Sequence, residues 1–302
     1  MPTRSRSLSA ASSGRPAPTT TANPAHKATS SEEIDALGGD PDFMTSLARG
    51  LAVLSCFAEH RKPMTISQAA QRTGITRASV RRCLHTLVKL GYAARTEQSF
   101  SLRPKALALG YAFLSSSSLS VLAQPLLDQV RDTLRESCSL GVMEGDEVCY
   151  IARSEIARIM SVALRVGSRV PLYCTSMGRV LLAQLSIEEQ KAYLARVPLL
   201  QRTSRTQVAV PELLKTLAKV RDQGYAIIDQ ELEIGLRSIA VPVFGLDGRV
   251  VASANIGTHS ARVPLAELQS RHLPELQRIA RELSSQVGAP PRGFTTAASD
   301  RT

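Results

Sequence analysis

The run Thr65-Ile66-Ser67-Gln68-Ala69-Ala70-Gln71-Arg72-Thr73-Gly74-Ile75-Thr76-Arg77-Ala78-Ser79-Val80-Arg81-Arg82-Cys83-Leu84-His85 reads as two helices around a turn. Thr65 is placed to cap a short first helix through Arg72, since its hydroxyl can accept an orphan N–H of the first turn. Thr73-Gly74-Ile75 is a tight turn, and glycine takes positive φ there without steric cost. Thr76 then caps a second helix from Arg77 to near Leu90. Its apolar residues Val80, Leu84, Leu87 and Val88 recur every three or four positions and form the core face. Helix, glycine turn, helix is the helix-turn-helix arrangement.

The other face of the second helix carries Arg77, Ser79, Arg81, Arg82, His85 and Lys89. Guanidinium and hydroxyl groups near the start of such a helix suit base edges and phosphates of a major groove. With the cap Thr76, these are the candidate DNA contacts. Upstream, Leu47, Leu51, Leu54 and Phe57 repeat at helical spacing until Arg61-Lys62-Pro63 stops them. Downstream of Gly91, the segments 92–95 and 100–103 read as a hairpin around Thr96-Glu97-Gln98-Ser99. A hairpin directly after a recognition helix is the wing of a winged helix. Arg95 and Arg103 on it could reach phosphates or a minor groove.

Charge points the same way. The chain of 302 residues holds 37 Lys+Arg and 26 Asp+Glu, a net charge of +11. Residues 43–105 alone hold 11 basic and 2 acidic side chains, net +9. A compact basic block on an otherwise near-neutral chain is the footprint of a nucleic-acid-binding domain. No apolar run nears the roughly 18 residues of a membrane span. The N-terminus lacks the apolar core of a secretion signal. Five widely spaced cysteines form no C-x-x-C, and the five histidines form no H-x-x-x-H pair. Neither a disulfide framework nor a metal site is therefore expected, and the cytoplasm is the expected compartment.

The first 31 residues hold twelve Ser/Thr among Ala, Pro and Gly. They cannot bury enough apolar area to offset their ordering entropy. Residues 1–42 are accordingly expected to be a disordered tail, 43–104 a winged helix-turn-helix domain, and 105–118 a linker helix. Residues 119–288 are expected to form an effector-binding and oligomerisation domain, with a second tail over 289–302. In that domain helices are predicted over Leu122–Arg135, Ser176–Leu185, Ile187–Tyr193, Glu212–Gln223 and Leu265–Gln286. Strands are predicted over Ser139–Met143, Val148–Ala152, Met160–Leu164, Tyr225–Asp229, Ser238–Val243 and Val250–Ile256. Helices flanking a largely antiparallel sheet give an α+β, sensor-like domain.

These residues carry a family resemblance. Thr45-Ser46-Leu47-Ala48-Arg49-Gly50-Leu51, followed by the winged helix, resembles the IclR family of bacterial transcription regulators. So do Gly167-Ser168-Arg169-Val170-Pro171-Leu172, Gly178-Arg179-Val180-Leu181-Leu182-Ala183 and Gly235-Leu236-Arg237-Ser238-Ile239-Ala240-Val241-Pro242-Val243. The likeness spans about residues 43–288. Arg81-Arg82-Cys83-Leu84 and Tyr173-Cys174-Thr175-Ser176-Met177-Gly178-Arg179 resemble the subgroup (PcaR/PobR type) regulating protocatechuate, 4-hydroxybenzoate and β-ketoadipate catabolism.

The resemblance implies a GAF/PAS-like C-terminal domain and a homodimer or tetramer on a pseudo-palindromic double-stranded operator. It implies control by a small organic acid, with RNA polymerase as a further partner, and no cofactor or catalysis. It also places effector contacts at Ser176 and Met177, near Asp229, and at Ser238, Asn255 and Gly257. Thr175 and Ser176 hydroxyls, at the start of a helix, can add donors for a carboxylate. Ser176-Met177 stands where the wider family often has Gly-Ala, and Asn255 where it has serine. That implies an effector larger than a two- or three-carbon keto acid, aromatic or dicarboxylic. Arg158, Arg165 and Arg237 are candidate counter-charges. An alternative stays open: Cys174, at a helix start that could lower its pKa, with His259 and Asp229, as a thiol enzyme or redox sensor.

Overall fold

The computed structural model describes residues 30–59, 62–109, 118–156 and 164–288. It opens with helix α1 (Ser31–Ala36), where the expected tail should still run. Ser30 caps this helix reciprocally: its hydroxyl accepts from the Glu33 N–H, and the Glu33 carboxylate accepts from the Ser30 N–H at 2.8 Å. Ile34 is 1% exposed and joins the core of Val53, Cys56, Val80 and Leu84. Residues 30–42 of the expected tail are thus structured, because one isoleucine on a capped turn reaches the helix-turn-helix core. Residues 1–29 and 289–302, the rest of the two expected tails, lie outside the described residues.

Helices α2 (Thr45–Glu59), α3 (Ile66–Thr73) and α4 (Arg77–Lys89) follow, with strands β1 (Met64–Thr65), β2 (Ala93–Thr96) and β3 (Ser99–Leu102). Thr65 caps α3 together with Gln68. Gly74 closes it at φ 71°, its N–H donating to the Ala70 carbonyl at 2.9 Å. Strand β3 lies between β1 and β2, antiparallel to both. Buried Phe100 on β3 anchors this wing in the same core as Val80 and Leu84. A 3-10 turn (Pro104–Ala106) comes next and residues 107–109 are helical. Positions 110–117 of the expected linker helix lie outside the described residues.

The second unit holds α5 (Ser118–Leu134), β4 (Ser137–Glu144), β5 (Glu147–Ser154), β6 (Arg169–Pro171) and α6 (Ser176–Leu182). It continues with α7 (Ile187–Arg196), α8 (Val210–Gln223), β7 (Ala226–Asp229), β8 (Leu236–Phe244), β9 (Val250–His259) and α9 (Leu273–Gln286). The six strands form one antiparallel sheet in the order β6-β5-β4-β9-β8-β7. Helices α5 and α9 cover one face, with Leu127, Val130, Leu140, Ile256 and Ile279 in the core between. Helices α6, α7 and α8 cover the other, around Tyr150, Met177, Leu181 and Leu217. Cover on both faces explains why β8 reads as a near-continuous apolar run.

Two expectations are corrected. Of the strand expected over Met160–Leu164, residues 160–163 lie outside the described residues and Leu164 belongs to no strand. The strand beside β5 is instead Arg169–Pro171, a stretch too short to show alternation. The closing helix is also not continuous from Leu265. A turn at Leu265–Glu267 passes into a π-helical turn, Leu268–His272, before α9. Pro274 has no N–H to donate into the preceding turn, and the ladder widens where that bond is missing.

Candidate functional site

Two surfaces gather the expected site residues. On the first, Thr76 caps α4, its hydroxyl accepting from Ser79 N at 3.4 Å and donating to Ser79 Oγ at 3.1 Å. Arg77, Arg81, Arg82, His85 and Lys89 are all exposed along this helix. Among the described residues, none of the arginines at 77, 81 and 82 has an acidic partner within ion-pair distance. A groove between α4 and the wing is lined by Arg81, Arg82, His85, Thr86, Arg95 and Phe100, among others. Arg95 is braced for it: Nε donates to the Glu97 carbonyl at 2.8 Å and the guanidinium lies 5.9 Å from the Phe100 ring centre. Thr76, Arg77, Ser79 and Lys89 share the helix but not the groove lining.

The second surface is a cavity on the α6 side of the large sheet. Thr175, Ser176, Met177, Ser238, Asn255 and Gly257 line it. Strand register explains the gathering. Ser137, Gly257 and Ser238 stand opposite one another on β4, β9 and β8. Arg153, Ser139 and Asn255 form the next such row on β5, β4 and β9. Helix α6 closes the cavity from above. Its first turn packs on the segment that leads into it because residue 178 is glycine: a β-carbon there would lie 2.2 Å from the Leu172 carbonyl oxygen.

The hydroxyl of Thr175 is engaged, donating to the Pro171 carbonyl at 2.7 Å and accepting from Gly178 N at 3.2 Å. Ser176 Oγ, in contrast, is buried without a hydrogen-bond partner, as are Asn255 Oδ1 and Arg153 Nε, the last with the Glu155 carboxylate at 3.6 Å. Buried polar atoms are almost always paired, so three orphans on one cavity mark a place for a polar ligand. Tyr150 also lines the cavity, and burial pushes its phenol up to about 12.

Asp229 does not line this cavity. Arg205 Nη1 and Arg237 Nε hold its carboxylate at 2.5 and 2.8 Å. Burial pushes this carboxyl up, but the Arg237 and Gln230 hydrogen bonds and the two arginine charges outweigh it, so its pKa lies below the ordinary value. Arg237 is likewise committed, its Nη1 donating to the Val263 carbonyl at 2.6 Å. Arg165 is exposed and off the cavity, and Arg158 lies outside the described residues. Among the described residues the charge on the lining comes from Arg153, which sequence reasoning missed. A β-bulge between Leu140 and Gly141 shifts the β4–β5 register and puts Tyr150 and Arg153, three apart, on one face. Strict alternation sends them to opposite faces.

Cys174 has the opposite of a thiolate environment. Burial pushes its thiol up to about 11, beyond what the nearby Arg202 charge can offset. His259 is exposed at the end of β9, its Nδ1 accepting from Ala261 N at 3.2 Å, and Asp229 is held by arginines. The three do not form a catalytic set. Among the described residues no helix is long and apolar enough to cross a membrane.

Residues 46–97 match the IclR helix-turn-helix domain, and residues 111–285 match the bacterial transcriptional regulator IclR C-terminal family. The chain is 50% identical over 261 residues to the Pca regulon regulatory protein of Pseudomonas putida, covering 86% of this chain and 90% of that protein. The crystal structure of a transcriptional regulator from Rhodococcus sp. RHA1 superposes with a TM-score of 0.73 at 44% identity, over 81% of this chain and 98% of that one. A double mutant of the PobR inducer-binding domain from Acinetobacter, in complex with 3-hydroxybenzoic acid, is similar at 31% identity and TM-score 0.54. It covers 56% of this chain and 98% of that one.

Proposed function

We propose a function from this premise: the chain belongs to the IclR family of bacterial transcription regulators. It is a DNA-binding regulator and not an enzyme. It reads a pseudo-palindromic operator through α4 and the wing, in the cytoplasm, and thereby governs access of RNA polymerase. A small organic acid from aromatic catabolism fills the cavity under α6 and changes operator binding. The observation that carries this reading is the set of three buried polar atoms without a hydrogen-bond partner on one cavity: Ser176 Oγ, Asn255 Oδ1 and Arg153 Nε. One similar protein is by name a regulator of the Pca regulon, and a double mutant of another's inducer-binding domain is in complex with 3-hydroxybenzoic acid.

The operator-bound form is a homodimer or a pair of dimers. Met44, Leu47 and Leu51 are each more than half exposed and fall on one face at helical spacing. A second copy of the same face buries that stripe and sets two recognition helices on two half-sites.

The test pairs operator binding with a thermal-shift screen of protocatechuate, 4-hydroxybenzoate and β-ketoadipate. A ligand that binds only the folded state raises its apparent stability. Ser176→Asp puts a carboxylate into the cavity and is expected to abolish the effector-dependent change in operator affinity. An unchanged response in this variant overturns the reading.

A further inference from the structure

We infer that Arg153 binds the carboxylate of the effector and that Ser139 positions its guanidinium for the task, an inference that rests on the effector reading above. Among the described residues, Arg153 is the only charged side chain on the cavity lining. An organic acid leaving water for such a site needs a counter-charge, because an unpaired buried carboxylate is costly. Helix α6 cannot fill that role alone, for it has only seven residues and a correspondingly small dipole.

The guanidinium is already prepared for an anion. Its side chain is 14% exposed, and Nη1 donates to Ser139 Oγ at 2.8 Å. Nε is buried and has no acceptor. The nearest carboxylate is Glu155, whose Oε2 lies 3.6 Å from Nε, too far for a hydrogen bond. That side chain is 63% exposed and does not line the cavity. An entering carboxylate can thus take the open guanidinium N–H that Glu155 leaves unmet, in a charge-assisted bond stronger than a neutral one.

The row Arg153–Ser139–Asn255 also sets the ligand's outline. The two ends are two strands apart, roughly 10 Å between backbones. With both side chains reaching inward, that distance suits a ligand with a carboxylate at one end and a second polar group at the other. The second group meets the open Asn255 Oδ1.

The decisive measurement is calorimetric titration of the full-length protein with acids and their neutral amides. The pairs are 4-hydroxybenzoate with 4-hydroxybenzamide, and protocatechuate with 3,4-dihydroxybenzamide. The wild type is expected to prefer at least one acid over its amide by tenfold or more. Arg153→Met is expected to bring that ratio to near one, Arg153→Lys to keep part of it, and Ser139→Ala to lower it. The ratio compares two ligands on one variant, so a general loss of stability does not mimic the effect. Should Arg153→Met not fold, Arg153→Gln carries the same comparison. A preference that survives loss of the arginine overturns this inference and leaves the effector reading standing. A wild type that binds neither acid overturns both.

Discussion

Arg179 and Glu231 form a doubly hydrogen-bonded ion pair in the interior, Nη1 to Oε1 at 2.8 Å and Nη2 to Oε2 at 2.7 Å. Their side chains are 4% and 11% exposed. Arg179 Nε also donates to the Tyr173 carbonyl at 2.9 Å, and Glu231 Oε2 accepts from Gln207 N at 2.9 Å. The pair therefore ties α6 to three loops, those of Tyr173, Gln207 and Glu231, the last of which carries Leu232 on the cavity wall. Replacing one partner strands the other charge in the interior. Arg179→Met or Glu231→Leu alone is expected to cost about 3–5 kcal/mol in urea unfolding. The double replacement should recover much of that loss, since neither charge is then buried alone.

Helix α1 offers a second stability test. Ile34→Ala removes a fully buried side chain and is expected to cost about 2–5 kcal/mol in the same assay. The turn beneath α1 is sensitive as well. At Gly74, φ is 71° and an added β-carbon would lie 2.7 Å from Ser31 Oγ. Gly74→Ala should therefore lose about 1–2 kcal/mol to left-handed backbone strain, with a steric cost besides. Adding Ser31→Gly should return the steric part and leave the strain.

Much of this molecule was legible along the chain because its signals are local. The Thr65 cap, the Gly74 turn and the apolar spacing of Val80, Leu84 and Leu87 act within a few residues of one another. The residues that escaped depend on distant partners. Ile34 sits in an acidic, serine-capped stretch and is buried only because α2 and α4 receive it. Arg153 reaches the cavity through a register shift against β4 that its own strand does not announce. Asp229 looked free for a ligand, yet Arg205 and Arg237, one of them 24 residues away, occupy its oxygens. Cys174 sits just before a helix start, a place that favours thiolate, but burial outweighs it.

That burial has a pH signature. Cys174 and Cys138 are fully buried, with thiols pushed up to about 11 and about 12. A thiol with a higher pKa in the fold than in the unfolded chain keeps its proton longer in the fold. Its contribution is complete below the ordinary thiol pKa and is lost as pH rises toward the folded value. Urea midpoints should therefore be flat up to pH 8 and fall between pH 9 and 11, by at most about 1.4 kcal/mol per pH unit for each thiol. Cys174→Ala should flatten that fall. An undiminished alkaline slope in both Cys174→Ala and Cys138→Ala would contradict the assignment to these thiols.

Operator affinity against salt separates the roles of the exposed arginines. Each phosphate contact releases condensed counterions, so log K falls with log salt by about 0.9 per contact on duplex DNA. Arg95 stands on the wing, braced by Glu97 and Phe100 and away from the start of α4. Arg95→Ala is expected to weaken operator and random duplexes alike and to reduce the salt slope by about one. Arg81 and Arg82 lie on the exposed face of α4, where a helix seated in a major groove meets base edges. Replacing whichever reads a base should cost about 1–3 kcal/mol on the operator and little on random DNA, relaxing preference at one base pair of each half-site. Fluorescence anisotropy on both duplexes at several salt concentrations distinguishes the two behaviours. Equal operator affinity for wild type and the Arg81→Ala, Arg82→Ala double variant would remove α4 from the interface.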